Sequence, residues 1–433
     1  MTFKLSKYNY FYKQDIDTYT CMNLINKTIF GLSTNKIDLI NRFYDNPEAL
    51  KNINPNLFSA LFKLGIIINQ DINEINFLKT EHRKTIYSTN SYRLTILPTL
   101  ECNFNCWYCY EDKIKGKMTN EIQIAIYKYV VNLIKTQSLK YFQLDWFGGE
   151  PLICFDEVVY PLSKRIALLC KKNGILFNNM ITTNGYLISS EMIKKFKKIN
   201  LKGFQITLDG NEKHHNKVKK GESGHNIYKK TVNNILEIIK RLDDINLMLR
   251  INYTENNFES ITEIINDIPE VYRNKIEISL QQVWQTEKVN KRMNIIQCNN
   301  SFLKEGFVAP LYKLEQKPYR CYADLLSQAV VSYNGNVFKC TARDFANHKP
   351  DGILQKNGTI EYNNIYFNRM SKTTIENDNC MSCEFLPACW GPCSQKNIEC
   401  KPNGFKQICN KSGIEKTIQI LMADFYKKNI LKQ

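Results

Sequence analysis

Short apolar runs recur along residues 90 to about 285, separated by longer stretches in which apolar residues return every three or four positions. The short runs are YRLTILP (92–98), YFQLDWF (141–147), ILFNNMITT (175–183), FQITLDG (204–210), NLMLRINY (246–253) and IEISLQ (276–281), and each is predicted as a strand. The helical stretches between them are EIQIAIYKYVVNLI (121–134), FDEVVYPLSKRIALLC (155–170), SEMIKKFKKI (190–199), IYKKTVNNILEIIKRL (227–242) and FESITEIINDI (258–268). Strands alternating with helices predict an α/β domain on a parallel sheet, either open or curled into a partial barrel. In both cases functional groups belong at the C-terminal ends of the strands.

The flanking regions read differently. Before residue 35 the pattern suits small strands, and NKIDLINRF (35–43) and NLFSALFKLGIII (56–68) suit short helices followed by a strand. That outline fits a small α+β module of winged-helix type. Toward the C-terminus periodicity is thin, apart from a hairpin expected over AVVSYNGNVFKC (329–340) with its turn at Asn334–Gly335. Polar and turn residues dominate 343–380, and a region so poor in core pattern needs cross-links, which metal clusters would supply. IEKTIQILMADFYKKNI (414–430) reads as a closing amphipathic helix. The expected division is therefore 1–88, 89–300 and 301–433.

Composition narrows the class. The chain has 433 residues, 43% hydrophobic and 23% charged, which suits a globular protein of two to three domains. It has no secretory pattern at its start and no apolar run of about 18 residues, so a cytoplasmic protein with no membrane partner is expected. The net charge of +17 reflects lysine spread over the whole chain. A run such as KKFKK (194–198) is read as a solvated helix face, and the charge does not name a partner.

The fifteen cysteines change the picture more. They cluster at 102, 106 and 109, at 321 and 340, and at 380, 383, 389, 393, 400 and 409; Cys21, Cys154, Cys170 and Cys298 stand alone and are expected to be buried. Short gaps favour metal coordination in a reducing compartment. The first group, CNFNCWYC (102–109), follows the first strand and precedes a helix that Thr119 would cap, with Glu121 in its first turn. Three thiolates can share an iron–sulfide cubane and leave one iron open, as metal catalysis requires. Structural zinc would want a fourth ligand nearby, and no histidine occurs between His82 and His214.

CNFNCWYC together with WFGGEP (146–151) resembles the CxxxCxxC motif and GGEP loop of the radical S-adenosylmethionine (SAM) enzymes. The resemblance implies a partial (β/α)6 barrel in which Cys102, Cys106 and Cys109 hold a [4Fe–4S] cluster. The open iron would bind S-adenosylmethionine, whose reductive cleavage yields a 5′-deoxyadenosyl radical. It further implies that Gly148, Gly149 and Glu150 hold the methionine amino group and that Tyr108 faces adenine. Thr183, Asn184, Arg250 and Asn252 would meet the carboxylate and ribose.

The later cysteines resemble the SPASM extension of that family, which holds two auxiliary clusters and brings the implied total to three [4Fe–4S] clusters. By resemblance Cys321, Cys340 and Cys393 serve the nearer one, and Cys380, Cys383, Cys389 and Cys409 the farther one. YADLLSQ (322–328) lacks the extra cysteine of some members, leaving the nearer cluster with an open iron or a ligand other than cysteine. Cys400 is the alternative last ligand, but it follows Cys393 after six residues against fifteen for Cys409, and the longer gap fits the family better. Thr341 stands where sulfatase-maturing members carry an aspartate, which argues against that activity.

FQITLDGNEKHHNKVK (204–219) resembles a segment of peptide-maturing members, with Asp209 and His215 as catalytic candidates and Lys219 where an arginine is common. The N-terminal module resembles a leader-peptide recognition element, which captures a leader as an added edge strand. The implied function is maturation of a ribosomally made precursor peptide by a thioether or carbon–carbon crosslink, with a flavodoxin or ferredoxin as electron donor. A peptide epimerase and a small-molecule radical enzyme are the alternatives. A cluster-bearing nucleic-acid binder is the remote one, since the aromatics do not interleave with basic residues and the GGEP loop would have no use there.

Overall fold

The computed structural model describes residues 2–219, 226–286, 292–310, 314, 317–400 and 404–431. The chain divides into two compact units, one of Ser88–Leu311 with Leu326–Asn368, the other of Met1–Tyr87, Tyr312–Leu325 and Arg369–Gln433.

The first unit is an α/β fold on a large, mostly parallel sheet. The six expected strands are β1 (Ser91–Ile96), β2 (Tyr141–Trp146), β3 (Leu176–Thr183), β4 (Leu201–Leu208), β5 (Asn246–Tyr253) and β6 (Ile276–Gln282). They lie side by side in chain order, all parallel. Ile96 pairs with Trp146 and Trp146 with Ile181, so the strand ends reach one edge together. Alternate residues such as Phe142, Leu144 and Trp146, or Leu247, Leu249 and Ile251, are buried with the helices in one core, which is the side-chain alternation of a pleated strand. The positions between them carry polar groups: Arg93 pairs with Asp145, and Asp145 also accepts from Gln143 at 2.7 Å.

The expected hairpin is present as β7 (Gln328–Val331) and β8 (Asn336–Phe338), with Gly335 at φ +86° in its turn. Its first arm does more than pair locally. It joins the sheet in parallel beside β1, and β9 (Gly352–Leu354) and β10 (Ile360–Tyr362) extend the sheet antiparallel from β8. Two helical stretches also differ in kind. Residues 155–170 begin as a π turn, Phe155–Val159, and become α-helical over Tyr160–Lys172. Pro161 has no N–H to donate at that junction, which disfavours regular α bonding. Phe258–Asp267 forms a 3-10 helix.

The second unit holds a three-stranded antiparallel sheet of Asn9–Lys13, Thr18–Asn23 and Thr28–Ser33. Helices Thr34–Arg42, Pro47–Ile53, Pro55–Lys63 and Glu74–Ile86 follow. The second and fourth of these were not foreseen; Asn73 caps the fourth by accepting from Asn76 N at 3.0 Å. One core of this unit combines Tyr8, Met22, Leu24 and Leu78 with Trp390, Ile414, Ile418 and Met422, so the N-terminal strands and the closing helix Lys411–Asn429 bury one another. Among the described residues no helix is long and apolar enough to cross a membrane.

Candidate active site

The loop that leaves β1 is fastened at both ends. Thr99 Oγ1 donates to Gly116 O at 2.7 Å and accepts from Glu101 N at 3.0 Å, while Glu101 Oε1 accepts from Gly116 N at 2.8 Å. Thr119 caps the following helix, Asn120–Thr136, by accepting from Ile122 N at 3.4 Å. Between these anchors sit Cys102 and Cys106, half-buried, and Cys109, exposed. Burial, and then the charge of Glu150, push the Cys102 thiol up to about 11. Cys106 acts electrostatically on both of its partners, which makes the three thiols near neighbours. Among the described residues no His, Cys, Asp or Glu side chains converge as they would on one metal ion. A cubane makes a different demand, since each thiolate binds its own iron, and three adjacent thiols fit it.

The GGE segment after β2 lies flat on the stretch that delivers Cys102. Gly149 N donates to Thr99 O at 3.3 Å and Glu150 N to Glu101 O at 2.7 Å. A Cβ on Gly149 would come 2.2 Å from Glu101 O, and Gly148 holds φ +107°, so both positions demand glycine. Glu150 is fully buried. Its Oε1 accepts from Leu152 N at 3.0 Å and from Thr183 Oγ1 at 2.8 Å, and its Oε2 accepts from Asn184 N at 2.8 Å. Burial raises its carboxyl above the usual range, and those donors pull it back. Asn184 in turn donates from Nδ2 to Asn103 Oδ1 at 2.8 Å, with Cys102 Sγ 4.0 Å away. The ends of β2 and β3 are thus bonded to the cysteine loop.

A second group gathers at the ends of β4 and β5. The Tyr108 hydroxyl donates to Asp209 Oδ1 at 2.6 Å and accepts from Lys219 Nζ at 3.2 Å and Asn252 Nδ2 at 3.1 Å. Arg250 Nε donates to Asn252 Oδ1 at 3.0 Å, as expected of alternate residues on one face of a strand. His215 is fully buried, and its Nδ1 accepts from the backbone N–H of Asp209 at 3.2 Å. Burial holds its imidazole down to about 4. Asn257 was missed: its Nδ2 donates to the carbonyls of Asp209 and Asn252, both at 2.9 Å, joining the two strand ends, and no sequence motif marks it. Lys219 was legible only as the basic residue four after His215.

Residues 96–299 match the Radical SAM superfamily. The chain carries a radical SAM domain. It is 22% identical over 431 residues to the radical SAM cyclopropyl synthase TigE of Paramaledivibacter caminithermalis, covering 88% of this chain and 83% of that protein. It is also 22% identical over 391 residues to the serine-type anaerobic sulfatase-maturating enzyme of Bacteroides thetaiotaomicron, covering 77% and 90%. Its fold is similar to that of anSMEcpe with bound AdoMet and Cp18Cys peptide, with a TM-score of 0.56 at 17% identity over 78% of this chain and 97% of the other. It is similar as well to Streptococcus suis SuiB bound to precursor peptide SuiA, with a TM-score of 0.51 at 18% identity over 93% and 98%. At such identities the likeness to the two solved structures is one of fold.

A radical SAM domain takes S-adenosylmethionine and an iron–sulfur cluster, and the three-thiol loop braced by the GGE segment suits both. Outside the matched segment, Cys380, Cys383, Cys389 and Cys409 line one cavity together with Phe385 and Phe405. Cys380 is pushed up to about 11 by burial, with Cys389, Cys383 and Cys409 adding to the rise. Cys400 does not line that cavity. Cys321 and Cys393 belong to the same unit as these four, and Cys340 to the sheet-bearing unit.

Proposed function

We propose that this protein is a radical SAM peptide maturase that closes an intramolecular link in a ribosomally made precursor peptide. The observation that carries the proposal is the pairing of two cysteine sites. One is the three-thiol loop at the strand ends, and the other is a separate four-thiol cavity suited to a second iron–sulfur cluster. Closing a thioether or carbon–carbon link after hydrogen abstraction removes one more electron, and a second redox centre supplies a place for it. The likeness to TigE, a cyclopropyl synthase by name, puts a carbon–carbon link first.

In this reading Cys102, Cys106 and Cys109 hold the cluster that, once reduced by a flavodoxin or ferredoxin, supplies the 5′-deoxyadenosyl radical from S-adenosylmethionine. Gly148 and Gly149 allow close backbone approach to the methionine end, and Glu150 positions that segment through Thr183 and Asn184. Arg250 and Asn252 offer donors for the carboxylate and ribose. Asp209 orients Tyr108, and His215 supports Asp209 from its buried position. Cys380, Cys383, Cys389 and Cys409 hold one auxiliary cluster, and Cys321, Cys340 and Cys393 a further one, for three in all. Residues 1–88 receive the leader, with the outer strands of the small sheet offering the edges. The setting is cytoplasmic.

The test is anaerobic incubation of the reconstituted enzyme with reductant, S-adenosylmethionine and candidate precursor peptides, read by high-resolution mass spectrometry. The expected product is lighter by about 2 Da per link, with one deoxyadenosine formed per event. Thiol alkylation then separates C–S from C–C linkage. Deuterium uptake from heavy water at otherwise unchanged mass would show an epimerase instead. Conversion of a small metabolite with no change in any peptide would overturn the proposal.

A further inference from the structure

Lys219 and Asp209 are a buried charge pair beside the cysteine loop, and cofactor binding does not by itself account for them. Lys219 is 4% exposed and Asp209 1%. The Lys219 ammonium lies 3.4 Å from Asp209 Oδ2 and donates to the Tyr108 hydroxyl at 3.2 Å. The same hydroxyl donates to the other oxygen of Asp209 at 2.6 Å. Tyr108 stands between Cys106 and Cys109 in the chain, and Gln285 Nε2 holds its carbonyl at 2.6 Å. The ammonium thus meets the side chain of a residue that lies within the cysteine loop itself. Burying a full charge is costly even when it is paired, and a neutral partner would have sufficed to hold one phenol.

We infer that Lys219 is a positioning residue that holds the Cys106–Cys109 turn through Tyr108, and that its charge, balanced by Asp209, sets the reduction potential of the cluster in that loop. The inference rests on the reading that Cys102, Cys106 and Cys109 hold this cluster. Reduction adds negative charge to a cluster. A fixed cation nearby therefore favours the reduced form, and a fixed anion disfavours it. In a low-dielectric interior neither effect is screened as it would be in water. Removing one member of the pair should thus shift the potential in the direction set by the charge that remains.

The experiment is a potentiometric titration of the reconstituted full chain followed by electron paramagnetic resonance. The cluster is identified as the signal that changes when S-adenosylmethionine is added. Lys219→Met is expected to lower its potential, Asp209→Asn to raise it, and the double variant to return close to wild type. Lys219→Arg should stay near wild type. Shifts of the same sign in both single variants, or no shift with iron content and signal intact, overturn the inference. If Lys219→Met does not fold, Asp209→Asn decides alone, and an unchanged or lowered potential overturns it. A wild-type protein with no S-adenosylmethionine-sensitive signal would remove the site reading itself, and the inference with it.

Discussion

Replacing Glu150 by Gln puts an amide NH2 where a carboxylate now accepts three donors, from Leu152, Thr183 and Asn184. One buried donor then loses its partner, which costs about 1–3 kcal/mol. The expected outcome is a lower melting midpoint of the variant without any ligand, together with weaker S-adenosylmethionine binding in calorimetry. A variant that melts like wild type yet binds about tenfold more weakly, roughly 1.4 kcal/mol, would place the carboxylate on the ligand directly. His215 makes a pH prediction. Burial lowers its pKa from 6.5 to about 4, so between those values the unfolded chain takes up a proton that the folded chain refuses. Stability must then fall as pH drops through that window. The urea midpoint should decline from about pH 7 to about pH 5, and less steeply in His215→Gln. A decline equally steep in both proteins would assign it to other groups. At this scale residue types and spacings were legible. Of the partners of Glu150 and His215, Leu152 and Asp209 lie two and six residues away in the chain, whereas Thr183 and Asn184 reach Glu150 from the end of β3 and were not legible.

Strands and helices were legible because a strand shows its burial every second residue and a helix every third or fourth, and those periods are local. NLMLRINY was expected over 246–253, and β5 occupies those residues. The parallel docking of β7 beside β1 left no local mark, since a hairpin arm looks the same whichever sheet it joins. The cysteine loop and the GGE segment behave as one element. A methyl group at position 149 would press on two backbone oxygens, of Glu101 at 2.2 Å and Leu100 at 2.5 Å, and neither can swing aside as a side chain could. Gly149→Ala should therefore separate the two segments. Iron bound by the loop and S-adenosylmethionine affinity are both expected to fall, while far-ultraviolet circular dichroism keeps its wild-type shape. Wild-type iron content in this variant would show that the two segments are independent.

On the scale of the whole molecule, the later cysteines sit among helices of only four residues, Asp378–Met381, Leu386–Cys389 and Phe405–Ile408, which are too short to persist on their own. Stripping iron with a chelator should open this region to limited proteolysis between about residues 375 and 410, with the parallel sheet left intact. Equal cleavage with and without iron would show that no cluster braces it. Removing residues 1–88 should also reach far along the chain. Tyr8, Met22, Leu24 and Leu78 share a core with Ile414, Ile418 and Met422, so the truncated protein exposes that core. It is expected to aggregate or to lose the iron of the four-thiol cavity. Loss of peptide modification on truncation would then reflect this damage, and a truncated protein with full iron content would show the module to be separable.

The sequence by itself determined the strand and helix order and the two cysteine series, because periodicity and ligand spacing are properties of neighbours in the chain. Tertiary structure alone decided the bonding of Glu150 to Thr183 and Asn184, the close approach to Glu101 that demands glycine at 149, the meeting of Lys219 and Asp209 on Tyr108, and the common core of the two chain ends. Each of these joins residues far apart in sequence, and such a contact exists only once the parallel crossovers and the shared core have brought its partners together.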